Sequence, residues 1–208
     1  MTRLKLLIAS NNPGKVGEFA DLLRGLPFDL IKPKDIGLVV DVIEDGKSYA
    51  ENARKKAAAF ALAAPGAVAI ADDSGLELAA FDGWPGLHSV RFAGPDADDA
   101  TRRRLVLQRL ADCPPSDRVA RFVCAIAAAR GNTILAEGLG ILDGTISTTE
   151  LGSGGFGYDP IFVPVGLTSS FGELDLADKN QISHRARALA QIRPFLSQLA
   201  AEVSDGRS

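Results

Sequence analysis

At 208 residues and 46% hydrophobic content, the chain can bury a sizeable core in one large domain or two closely joined lobes, as an ordinary globular protein does. A net charge of -3 and a pI near 5.4 argue against a nucleic-acid polymer as partner but leave free nucleotides open. Cys113 and Cys124 are too few for a disulfide framework and too scattered for a zinc site, no run reaches the roughly 20 apolar residues of a membrane helix, and Met1, Thr2 and Arg3 do not open a signal peptide, so a soluble cytoplasmic protein is expected.

In chain order, the apolar run Leu4 to Ala9 predicts a strand that breaks into Ser10, Asn11, Asn12, Pro13, Gly14 and Lys15. Val16, Phe19, Ala20 and Leu23, at three- and four-residue steps, predict a helix over 13–23 with Pro13 in its first turn. A second helix is predicted from Ser48 to Ala64, and the run Ala67 to Ala71 then reads as a buried strand. Strand and helix alternate, which implies an α/β class. A helix follows over 98–111, then neighbouring strands Arg121 to Ala129 and Thr133 to Leu142 around Gly131 and Asn132. The last helix is predicted to start at Ser183 as N-cap, to carry Leu189, Ile192, Leu196 and Leu199 on one side, and to bend at Pro194. With no repeat, low-complexity tract or long linker, 1–202 is expected to form a single two-lobed domain, with 203–208 a frayed tail.

Four clusters carry chemistry. The turn Ser10 to Lys15 supplies a hydroxyl, amides, a glycine and a lysine beside the positive end of a helix dipole, which favours phosphate; a strand-to-helix turn also needs Asn, Pro and Gly for geometry alone. Asp72, Asp73 and Ser74 are predicted at a strand end, where carboxylates either cap the next turn or serve Mg²⁺ as hard oxygen ligands and take a proton from water. Glu44, in an acidic stretch, is a candidate to complete that magnesium site, and Lys56 a candidate to face a phosphate; exposure to solvent is the alternative for both. In the glycine-rich loop around Phe156, Gly157, Tyr158 and Asp159, either the ring of Phe156 stacks on a flat ligand or Phe156 and Tyr158 plug the core. Lys179, Ser183, His184 and Arg185 place cations at an expected helix start, where positive charge is disfavoured unless a ligand offsets it.

Together these residues resemble the non-canonical purine nucleoside triphosphate pyrophosphatases, also called inosine or xanthosine triphosphate pyrophosphatases. The likeness spans nearly the whole chain and rests on Ser10 to Lys15, Glu51 to Ala57, Asp72 to Leu76, Gly86 to Phe92, Gly154 to Phe162 and Ile182 to Arg185. The resemblance implies an elongated two-lobed α/β fold around a long mixed sheet with flanking helices, an active-site cleft between the lobes, a homodimer, and Mg²⁺ as cofactor. It further implies that Ser10 to Lys15 cradle the triphosphate, that Lys56 neutralises it, and that Asp73 is catalytic base and metal ligand with Glu44 as second ligand. Ser74 would then contact substrate, Phe156 stack on the purine, Tyr158, Asp159 and Lys179 hold the nucleoside, and His184 with Arg185 read the base edge. The implied reaction turns dITP, ITP and XTP into monophosphate and pyrophosphate. The chain departs from the family pattern at Ala79, where many members carry Asp, and over Leu176 to Asp178. A Walker-type kinase or ATPase is excluded because Val16 follows Lys15 and no glycine stands at Ala9 or Ser10.

Overall fold

The computed structural model describes residues 3–204, with side chains through 202. Among the described residues six strands form one mixed sheet in the order β2-β1-β3-β4-β5-β6, with β1 (Leu4–Ile8) parallel to β2 (Phe28–Ile31) and to β3 (Ala67–Leu78). β4 spans Val119–Arg130, β5 spans Thr133–Ile146, and β6 (Phe162–Pro164) runs antiparallel to β5. The helices are α1 (Pro13–Leu22), α2 (Tyr49–Ala63), α3 (Asp99–Arg109), α4 (Leu176–Ile182) and α5 (His184–Ser204). The chain divides into two compact units, 1–73 with 124–140 and 185–208, and 74–123 with 141–184.

In the first unit both sheet faces are covered, which explains the unbroken apolar strands. Alternate residues Leu6, Ile8, Val68 and Ile70 pack with Phe19 and Leu23 of α1 and with Leu189, Ile192 and Leu196 of α5. Their neighbours Leu7, Ala9, Ala67, Ala69 and Ala71 pack with Ala53, Ala57, Phe60 and Ala61 of α2. Both helix starts follow from their caps: Asn12 accepts from the Lys15 N–H at 3.1 Å, with Pro13 opening α1, and Ser48 accepts from Glu51.

The second unit has its own core, built on Leu76, Leu78, Val106, Leu110, Phe122, Leu142, Ile146, Tyr158, Ile161, Phe162 and Phe171. Inside it the Arg118 guanidinium donates to the carbonyls of Leu110, Ile146 and Ser147.

Several expected boundaries shift. β3 does not end at Ala71 but continues to Leu78, so Asp72 and Asp73 lie inside a strand and cap no turn. Their low strand propensity is overridden by the cations they face. β4 and β5 are also longer than expected, β5 because Leu142, Gly144 and Ile146 alternate inward. α4 was not anticipated: Lys179 stands in this separate helix rather than at the start of α5. α5 begins at His184, directly after Ser183 as expected, although Ser183 is also the C-cap of α4, and the helix continues through Pro194. Of the tail expected over 203–208, residues 205–208 lie outside those described.

Candidate active site

In the first unit, the pleat of β3 sends its adjacent aspartates to opposite faces. Asp72, with its side chain 1% exposed, meets Lys15 Nζ at 3.0 Å and Arg185 Nη2 at 2.9 Å. Arg185 also binds Glu18 of α1, so two buried carboxylates balance two cations. Burial alone would raise the Asp72 carboxyl, but the charges of Lys15 and Arg185 outweigh it and hold the group far below the ordinary carboxylate range.

Asp73 faces α2. Its Oδ2 accepts from Asn52 Nδ2 at 2.9 Å, and its Oδ1 lies 3.7 Å from Lys56 Nζ. The same ammonium sits 3.2 Å from Glu44 Oε1, so two carboxylates from distant parts of the chain converge on one cation. Burial pushes the Asp73 carboxyl up from its ordinary value, against the pull of Lys56 and the Asn52 amide. The segment carrying Glu44 is pinned next to it: Gly46 donates its N–H to Asn52 Oδ1 at 2.8 Å, and a Cβ at Gly46 would come within 2.5 Å of that oxygen. Lys47 N–H donates to Glu51 and Lys55 pairs with Asp45.

The donor set suits a hard divalent cation. Among the described residues no three His, Cys, Asp or Glu side chains gather for a metal, but the Glu44 and Asp73 oxygens already share a cationic centre. Two carboxylates with waters and substrate oxygens are the usual surroundings of Mg²⁺.

The turn joining β1 to α1 exposes Asn11, Asn12 and Pro13, while Ser10 Oγ accepts from the Asn12 N–H at 3.2 Å. Asn12 therefore performs the geometric duty of a cap, and Lys15 bends inward to Asp72.

In the second unit, the loop over 152–157 presents Phe156 half-buried, whereas Tyr158 belongs to the core and donates its hydroxyl to the Ser89 carbonyl. Tyr158 thus plugs the core, as one reading of the loop expected, while Phe156 stays outside that core cluster. Asp159 Oδ2 accepts from the Phe156 N–H at 2.8 Å and pairs with Lys179, whose Nζ stands 4.7 Å from the Phe156 ring centroid. Gly155, at φ +71°, leaves room for this carboxylate, since a Cβ there would fall 2.1 Å from Asp159 Oδ2. Gly157 follows the ring, Ser74 is half-buried in β3, and His184 stacks on Phe122 at 4.6 Å and 19°.

Sequence reasoning passed over Asn52 and Glu18. Asn52 stands one helical turn before Lys56 on the same face, and Glu18 three residues after Lys15, so spacing alone offered a signal for each.

An α/β sheet that sets a lysine-bearing strand-to-helix turn beside paired buried carboxylates defines a protein equipped for chemistry on phosphates. More narrowly, the chain belongs to the Ham1 family, whose model matches residues 6–195. A curated relative from Desulforamulus reducens, a dITP/XTP pyrophosphatase, is 42% identical over 94% of this chain and 97% of its own length. The solved HAM1 protein of Coxiella burnetii superposes with a TM-score of 0.82 at 39% identity, covering 94% of this chain and 99% of that one. A nucleoside-triphosphatase, dITP/XTP pyrophosphatase, from Mycobacterium abscessus gives 0.70 at 37% identity, covering 93% and 100%. No helix among the described residues is long and apolar enough to cross a membrane.

Proposed function

We propose that this chain hydrolyses non-canonical purine nucleoside triphosphates, dITP or ITP and XTP, to the monophosphate and pyrophosphate, keeping them out of DNA and RNA. The observation that carries this reading is the convergence of Glu44 and Asp73 on Lys56, with Lys15 close behind the strand-to-helix turn. The printed activities of relatives that align over nearly the whole chain support it.

Ser10 to Lys15 and Lys56 bind and neutralise the triphosphate, and Asp73 accepts the proton of the attacking water. Its raised basicity suits that duty. Glu44 and Asp73 are the residues that would hold Mg²⁺, which supplies charge neutralisation on the phosphate oxygens. Phe156 stacks on the purine, Ser74, Gly157, Tyr158, Asp159 and Lys179 contact substrate, and His184 addresses the base. Arg185, with both its partners buried, acts by holding Asp72 and Glu18 rather than by reading a base directly. The working enzyme is a cytoplasmic homodimer built from the single domain 1–202.

The test is pyrophosphate release by the purified protein with Mg²⁺ from dITP, ITP, XTP, dATP, dGTP and dTTP. Strong preference for the first three is expected; equal rates on all six would refute the proposed specificity.

A further inference from the structure

We propose that Asp99 and Arg103 are positioning residues that hold the two peptide groups flanking the Gly157 Cα and thereby fix the Phe156 ring for stacking on the base, an inference that rests on the proposed role of Phe156. Asp99 and Arg103 stand four apart at the start of α3, so their side chains leave the same helix face. Asp99 Oδ2 accepts the Gly157 N–H at 2.8 Å, and Arg103 Nη1 donates to the Gly157 carbonyl at 2.9 Å. One residue of an otherwise exposed loop thus has its backbone donor and acceptor both held by charged side chains of a single helical turn.

The grip is itself braced. Arg103 pairs with Glu150 at 2.9 Å, and Asp99 Oδ1 accepts from Arg102 Nη1 at 2.7 Å. Next to it, the Phe156 N–H donates to Asp159 and the Phe156 carbonyl accepts from the Asp159 N–H at 3.2 Å. The N–H and carbonyl of both Phe156 and Gly157 are accordingly bonded, which leaves the ring mainly its side-chain torsions. An exposed loop with no such bonds samples many arrangements, and each must be frozen out when a ligand stacks. The clamp removes that cost before the nucleotide arrives. Its influence is confined to substrates that carry a base, because it touches nothing assigned to the triphosphate.

The experiment compares steady-state kinetics of Arg103→Ala, Asp99→Ala, Asp99→Asn and Phe156→Ala on dITP and on methyl triphosphate, which has no base. Arg103→Ala and Asp99→Ala are expected to raise KM for dITP about 10-fold, within the range of a lost base–aromatic stack, with kcat and both constants for methyl triphosphate little changed. Asp99→Asn, which keeps an acceptor for the Gly157 N–H, is expected to recover most of the loss. Equal losses on both substrates would overturn the proposal in favour of a merely structural role. A KM for dITP unchanged in Arg103→Ala and Asp99→Ala, while Phe156→Ala raises it, would overturn the clamp alone. A silent Phe156→Ala would remove the stacking role and the clamp with it.

Discussion

Replacing Asp72 by Asn probes the buried charge cluster of the first unit without changing side-chain volume. The substitution removes the carboxylate that Lys15 and Arg185 share and leaves Glu18 to Arg185, with the Arg185 side chain 1% exposed and Lys15 only 14%. Breaking a buried ion pair by removing one partner costs about 3–5 kcal/mol, since the remaining charge stays out of water uncompensated. At about 2–4 °C per kcal/mol for a chain of this size, the melting temperature should drop by roughly 6–20 °C at pH 7. Urea denaturation followed by circular dichroism reads the same loss as a shift in midpoint. The pH dependence adds a second signature. Because the folded carboxyl is held far below its ordinary value of 3.8, its contribution is fully present above that value and is lost as pH falls below it. The gap between parent and variant should therefore be widest at neutral pH and narrow below pH 4. A loss under about 1 kcal/mol at pH 7, or a gap that stays constant down to pH 3, would refute the cluster as a determinant of stability.

Asp73→Asn should reduce kcat by about 100- to 10,000-fold, the range typical of a lost general base, while nucleotide binding measured by calorimetry persists. Asn52→Ala should cost about 1–3 kcal/mol of stability by leaving the Gly46 N–H without its acceptor, and should lower turnover by releasing both Glu44 and Asp73; urea melts and kinetics check the two effects together. Treatment with EDTA should abolish pyrophosphate release, and Mg²⁺ added back should restore it, whereas retention of full activity in the chelator would exclude the Glu44 and Asp73 pair as a metal site.

Helix starts expected at 13, 48 and 98 fall within a residue of those observed, where Asn12, Ser48 and Asp98 each accept from the N–H three residues on. β2, with four residues, and β6, with three, are too short to show a periodicity. The apolar run that marked this strand stops at Ala71, but the strand continues through Asp72 and Asp73, whose charges are met by residues far away in sequence. The site was legible as a set of residue types and not as a set of pairings. Lys15, Lys56, Glu44 and Asp73 stood out, yet nothing local shows that Arg185 closes on Glu18 across 167 positions. Lysines sit mostly in solvent, so the burial of Lys179 against Asp159 could come only from the tertiary fold.

The tandem aspartates of β3 look like duplicates, a pair in which one could stand in for the other. The pleat denies them that redundancy. Asp72 answers to α1 and α5, Asp73 to α2 and the Glu44 segment, and a strand backbone lies between the two sets of partners. Loss of either leaves its neighbour unable to substitute, and under the proposed roles the two losses are expected to differ in kind: a chain that folds poorly from the first, a folded chain without turnover from the second. Drift at these two adjacent codons is thus expected to leave different scars, lowered abundance from the first and an intact but silent protein from the second.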